Sequence, residues 1–126
     1  MNPVYTETFF QTEATRLPKS FAILTAWNPQ GKHASQEKNQ ENNNRLLREL
    51  QSRNLSHFPI WTRSKTGSCG EACLGIDCSE TEALELAKHF DQEAIFYIED
   101  GKVILVGCQE DLREEIATWE SRLEAS

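Results

Sequence analysis

Six polar residues in this sequence stand where a polar stretch meets an apolar one, and they are the positions at which chemistry could gather. Thr25 and Asn28 close the apolar run of residues 21–27, Asn39 and Asn43 open a helical stretch, Glu71 opens a second apolar run, and Gln92 precedes the run of residues 94–98. Amide and hydroxyl side chains supply both donors and acceptors, so with one carboxylate they can recognise a nucleobase edge, a sugar or a backbone amide. The same residue types also make buried networks that tie loops together. Glu71 is the one ionisable side chain of the six, and any general-base role would fall to it.

Other chemistries find less support. A nucleophilic cysteine needs a thiolate beside a base. Cys73 follows Glu71 by two residues on the same strand face, but no histidine has a reason to be next to it. Cys69-x3-Cys73-x4-Cys78 lacks the matched second pair of a structural zinc site, and His33, His57 and His89 are scattered. Neither a metal nor a cofactor is expected. No Gly-rich run precedes a Lys-Ser/Thr pair, so a phosphate loop is absent. Trp27, Trp61 and Tyr97 could stack on bases, but the fourth and fifth predicted strands lie in the acidic half of the chain, and nucleic acid is not the expected partner.

The elements that must position these residues follow from periodicity and turn chemistry. Residues 21–27 read as a buried strand, stopped by Asn28-Pro29-Gln30-Gly31. Ser35 is an N-cap candidate with Glu37 in the first turn, for a helix running to about Arg53. Leu46, Leu47 and Leu50 form its stripe, and Asn39 and Asn43 extend that stripe toward the N-terminus. Residues 58–62 and 71–77 predict two strands. Ser79 with Glu82 is a capping box opening a second helix, which ends near Asp91. Residues 94–98 and 103–107 predict a hairpin about Asp100-Gly101. Leu112, Ile116, Trp119 and Leu123 mark a last helix over 110–123.

The order β-α-β-β-α-β-β-α predicts an α/β (α+β) chain. Its expected core is a ferredoxin-like split β-α-β unit with an added fifth strand and a C-terminal helix. In that topology the first strand pairs antiparallel with the third on one side and the fourth on the other. The six polar residues then converge at one edge of the sheet, beside the unpaired N–H groups that open the first helix. The 126 residues suit a single domain, with 1–20 as an extension packed on the core and 108–126 as the terminal helix.

Charge and hydropathy bound the environment. The apolar runs reach only five residues, far from the ~20 needed to cross a bilayer, and residues 1–10 do not read as a secretory signal. A cytoplasmic location and no membrane contact are the expectation. The net charge of −7 hides a split. Residues 1–69 carry nine Lys/Arg against five Asp/Glu, whereas 70–126 carry four against fifteen. An anionic ligand at the basic end is therefore compatible with an acidic chain.

Between Phe21 and about Val106 the sequence resembles a bacterial family catalogued as domain of unknown function 3293. The resemblance rests on the stretch from Phe21 through Thr25, Trp27, Asn28 and Pro29, on Asn39 and Asn43 followed by Leu46 and Leu50, on Glu71, and on Ala83-Leu84-x2-Ala87-x2-Phe90-x-Gln92-x-Ala94-Ile95. Asn42, Cys73 and Asp91 stand where that family usually carries Arg, Ser and Gly. The resemblance implies a small α/β domain and no established activity. The residues themselves leave three functions open. One is a binding domain for a small polar ligand or partner segment at Thr25, Asn28, Asn39, Asn43, Glu71 and Gln92. Another is a small enzyme on a nucleotide-like metabolite with Glu71 as general base. The third is an interaction module using the basic helix surface of Arg45, Arg48 and Arg53. Oligomeric state is open.

Overall fold

Phe21, Ala22, Ile23 and Leu24 are all buried. Successive strand residues point to opposite faces, so a strand apolar at both parities must lie between two packed layers. The computed structural model describes residues 6–29, 32–64, 71–109 and 111–124. Its elements are β1 (Thr8–Gln11), β2 (Ser20–Leu24), α1 (Gln36–Ser52), β3 (His57–Ser64), β4 (Glu71–Ile76), α2 (Glu80–His89), β5 (Ala94–Glu99), β6 (Lys102–Gly107), β7 (Arg113–Thr118) and α3 (Trp119–Arg122). The strands form one antiparallel sheet in the order β1-β3-β4-β2-β5-β6-β7, curled into a half-barrel.

The two faces of β2 feed two cores. Ala22 and Leu24 join Leu74, Ile76, Ile95 and Tyr97 beneath the helices, meeting Leu46 and Leu50 of α1 and Ala83, Leu86 and Phe90 of α2. Phe21 and Ile23 face the other way and join Phe10, Ile60, Ile98 and Val103 inside the curl. This second core is aromatic. Trp119 stacks on Phe10 at 5.3 Å between ring centroids and meets Phe21 edge-on at 5.5 Å. Trp119 follows the last strand and Phe10 lies on the first, so this contact draws the two edges of the sheet together. The closure is completed by Glu124, whose N–H donates to the carbonyl of Phe10 at 2.8 Å.

Capping and turn signals act as expected. The Ser35 hydroxyl accepts from the Lys38 N–H, and that of Ser79 from the Glu82 N–H. Asp100 and Gly101 both take positive φ, 51° and 74°, in the β5–β6 hairpin. The pairings of β2 with β4 and with β5 are also antiparallel as expected.

The ferredoxin-like architecture with five strands and a C-terminal helix is overturned. Among the described residues the sheet has seven strands and is curled, in an α+β fold with three helices. The predicted helix over 110–123 is instead β7 and the four-residue α3. Ile116 and Trp119 do reach a core, but from a strand and a short helix. The free edge of β6 offered β7 a ladder from Lys102↔Thr118 to Val106↔Arg113, interrupted by one register shift between Val103 and Ile104. That tertiary partner outweighs both the helical spacing and the helix-favouring Glu, Leu, Arg and Ala of this stretch. At the opposite end, Thr8–Gln11 forms the edge strand against β3.

Gly75 records how tightly the curl closes. A Cβ there would fall 2.4–2.8 Å from the Phe58 ring, which lies across it from the neighbouring strand. Gly75→Ala should destabilise the protein by about 1–3 kcal/mol, the usual cost of overpacking, measured as a lower urea midpoint. Adding Phe58→Leu should recover part of that loss, whereas a variant as stable as the parent would show that the ring is free to move aside.

Candidate functional site

The end of β2 is the pivot of the site. Beyond Leu24 the chain leaves the ladder, and Asn28 takes a positive φ of 47° ahead of Pro29. Asparagine tolerates this region better than most residues. Its whole amide is then used. The Asn28 N–H donates to Asn39 Oδ1 (2.9 Å), and Asn39 Nδ2 returns a bond to Asn28 Oδ1 (3.1 Å). The same oxygen accepts from the Ala34 N–H (2.9 Å), and Asn28 Nδ2 donates to Glu71 Oε2 (3.1 Å). Side chains from the β2 turn, the first turn of α1 and the start of β4 are therefore joined in one chain of bonds.

Two other members of the expected set bind backbone. Thr25 Oγ1 donates to the Ala72 carbonyl at 2.8 Å and accepts from the Trp27 N–H at 3.0 Å. Gln92 Nε2 donates to the Trp27 carbonyl at 3.1 Å and to the Phe90 carbonyl at 3.3 Å. Both side chains are buried, and together they hold the segment from Thr25 to Asn28 against β4 and the end of α2. Asn43 stands apart: it is half-buried and shares no hydrogen bond with the others. On α1 the buried residues are Asn39, Asn42, Leu46 and Leu50. Positions 42 and 43 both lie one turn before Leu46, so spacing alone does not choose between them.

Glu71 has an unusual balance. Burial pushes its carboxyl above the ordinary carboxylate range, and the hydrogen bond from Asn28 opposes that rise. Among the described residues its second oxygen has no hydrogen-bond partner. Beside it, burial pushes the Cys73 thiol up to about 12, with the Glu71 charge adding to the effect. Cys73 is no thiolate at neutral pH, and its Sγ donates to Thr62 Oγ1 at 3.9 Å. His57 Nδ1, for its part, is paired with the Leu55 carbonyl. Among the described residues, no three His, Cys, Asp or Glu side chains are grouped to hold a metal, and no helix is long and apolar enough to cross a membrane.

An aromatic pair was not part of the expected set. Trp27, next to Asn28, meets Trp61 edge-on with centroids 6.3 Å apart, and Trp61 is 52% exposed. The sequence did carry a signal for it, since both tryptophans end apolar runs.

A family model described as a protein of unknown function (DUF3293) matches residues 24–95. The chain belongs to that family. No curated protein and no solved structure matches it. The DUF3293 match begins at the end of β2 and stops inside β5, so it spans Thr25, Asn28, Asn39, Asn43, Glu71 and Gln92. It leaves out β1, β6, β7 and α3, which complete the curl.

The raised pKa of Glu71 sets a sign. The folded state binds this proton more tightly than the unfolded chain, so the contribution is fully present below the unfolded pKa and is lost as pH rises through the folded one. Glu71→Gln, which keeps an acceptor for Asn28, should therefore unfold at a higher temperature than the parent at pH 7. The two should converge below pH 4. An unchanged difference across the pH range would mean that the carboxylate is well solvated.

Proposed function

We propose that this DUF3293 chain is a non-catalytic binding domain whose ligand is a small polar molecule or partner segment bearing N–H donors. One observation carries the reading: Glu71 keeps a half-buried carboxylate with a single hydrogen bond, from Asn28. Its other oxygen is not sealed from solvent, so it can accept from a ligand N–H in a charge-assisted bond, which is stronger than a neutral one. Thr25, Asn39 and Gln92 support the site by fixing the Asn28 turn. Asn43, near the start of α1, has no side-chain hydrogen bond among the described residues. Trp27 and Trp61 stand at the same end of the sheet and suit a ligand with a flat apolar face.

A second reading has its own support. Burial raises the Glu71 pKa, which makes its carboxylate a stronger base than a solvated one, so a small enzyme on a nucleotide-like metabolite is the competing function.

A metabolite screen by thermal shift and native mass spectrometry tests both. Glu71→Ala should weaken binding of any hit at least tenfold while changing unfolding free energy by no more than ~1 kcal/mol. Asn39→Ala should cost stability by about 1–3 kcal/mol, because it leaves the Asn28 N–H without its acceptor and removes one of the two donors to Asn28 Oδ1. A large stability loss in Glu71→Ala with ligand affinity intact would make Glu71 a structural tie and end the binding reading. Turnover of a hit, lost in Glu71→Gln, would establish the enzyme.

A further inference from the structure

A second site lies away from Glu71, where the later turns of α1 pass the end of α2. A solvent-open depression of about 370 Å³ is lined there by Arg45, Arg48, Glu49, Ser52, His89 and Phe90. Arg45, Arg48, Glu49 and Ser52 fall at i, i+3, i+4 and i+7, so α1 presents them on one face.

The charge of this groove is not cancelled from within. Its one acid, Glu49, is committed to Arg53, with Oε1 3.0 Å from Nε, and Arg53 also reaches Glu82 at 3.5 Å. Neither Arg45 nor Arg48 forms an ion pair among the described residues. Arg45 is also held in place: its Nη1 donates to Asn42 Oδ1 at 3.2 Å, and its guanidinium carbon lies 5.3 Å from the Phe90 ring centroid. Asn42 is 4% exposed. Burying a poor helix former inside α1 is costly, and its hydrogen bond to Arg45 is what that placement achieves. Only one of the five guanidinium N–H donors is used, so the others remain available to a ligand.

We propose that this groove binds the phosphoryl group of a small phosphate ester, gripped by Arg45 and Arg48. Two guanidinium forks one helical turn apart offer more donors than the two oxygens of a carboxylate can accept, whereas a phosphate presents three oxygens in different directions. Ser52 and His89 also line the groove and bring side chains with hydrogen-bond donors to it. The carbonyl end of α2 disfavours an anion, but Lys88 in its last turn opposes that partial charge. The site is independent of the function proposed for Glu71.

The test is a titration of the full chain with inorganic phosphate, pyrophosphate and ribose 5-phosphate at constant ionic strength, followed by NMR of backbone amides and arginine Nε–H groups. Saturable shifts at Arg45, Arg48 and Phe90 are expected, weakened at least tenfold in Arg48→Gln and unchanged in Glu71→Ala. Arg48 has no partner among the described residues, so that variant should melt at the parent temperature. Non-saturating shifts, shifts reproduced by chloride alone, or equal affinity in Arg48→Gln would overturn the proposal. So would saturation by a polyglutamate peptide and by none of the phosphates, which would make the groove a docking surface for an acidic protein segment.

Discussion

Everything in this molecule depends on β2 being buried on both faces. A five-residue strand at the centre of a seven-stranded sheet serves one core through Ala22 and Leu24 and the other through Phe21 and Ile23. A slip of one residue would exchange these two sets, placing phenylalanine under the helices and alanine in the aromatic interior of the curl. The register against β4 and β5 is therefore held from both sides at once. That rigidity is what allows the turn after β2 to hold Asn28 at an uncommon backbone angle and aim its amide at two different elements.

The asparagines show how a polar cluster replaces apolar packing at one end of a helix. The first half of α1 has no buried apolar residue, and its anchoring comes from Leu46 and Leu50 further along. Burial of that pair is worth ~3–6 kcal/mol. At its start the helix is located by the reciprocal pairing of Asn39 with Asn28 instead. Hydrogen bonds contribute less net energy than buried leucines but are far more directional. The leucines decide that α1 lies on the sheet, and the amides decide where it begins.

Much of this could be read from residue types, and the failures have physical causes. Ser35, Ser79 and Asp100-Gly101 carry their structure locally, so the helix starts and the hairpin were legible. The joining of Asn28, Asn39 and Glu71 followed from which strand ends meet at one edge. The last third of the sheet was not legible, because Leu112, Ile116, Trp119 and Leu123 repeat at helical spacing and only the open edge of β6 selects a strand. The curl was invisible for the same reason: it depends on Phe10 meeting Trp119, a contact between opposite ends of the chain. Asn42 was missed because it and Asn43 are equivalent by spacing until the helix is rotated onto the sheet.

The bond from Glu124 to Phe10 has a consequence for the order in which the fold can assemble. While the chain is being synthesised, β1 can pair with β3 as soon as residues 57–64 emerge, but its outer edge stays unprotected until residues 123–124 arrive. An exposed strand edge with phenylalanine on it is a template for the wrong neighbour. The molecule therefore passes through a period, set by the translation of some sixty residues, in which its first strand has one side without a partner. In the finished fold Arg63 of β3 both stands over Phe9 and pairs with Glu124, so one side chain ties the first strand to the segment that closes its edge.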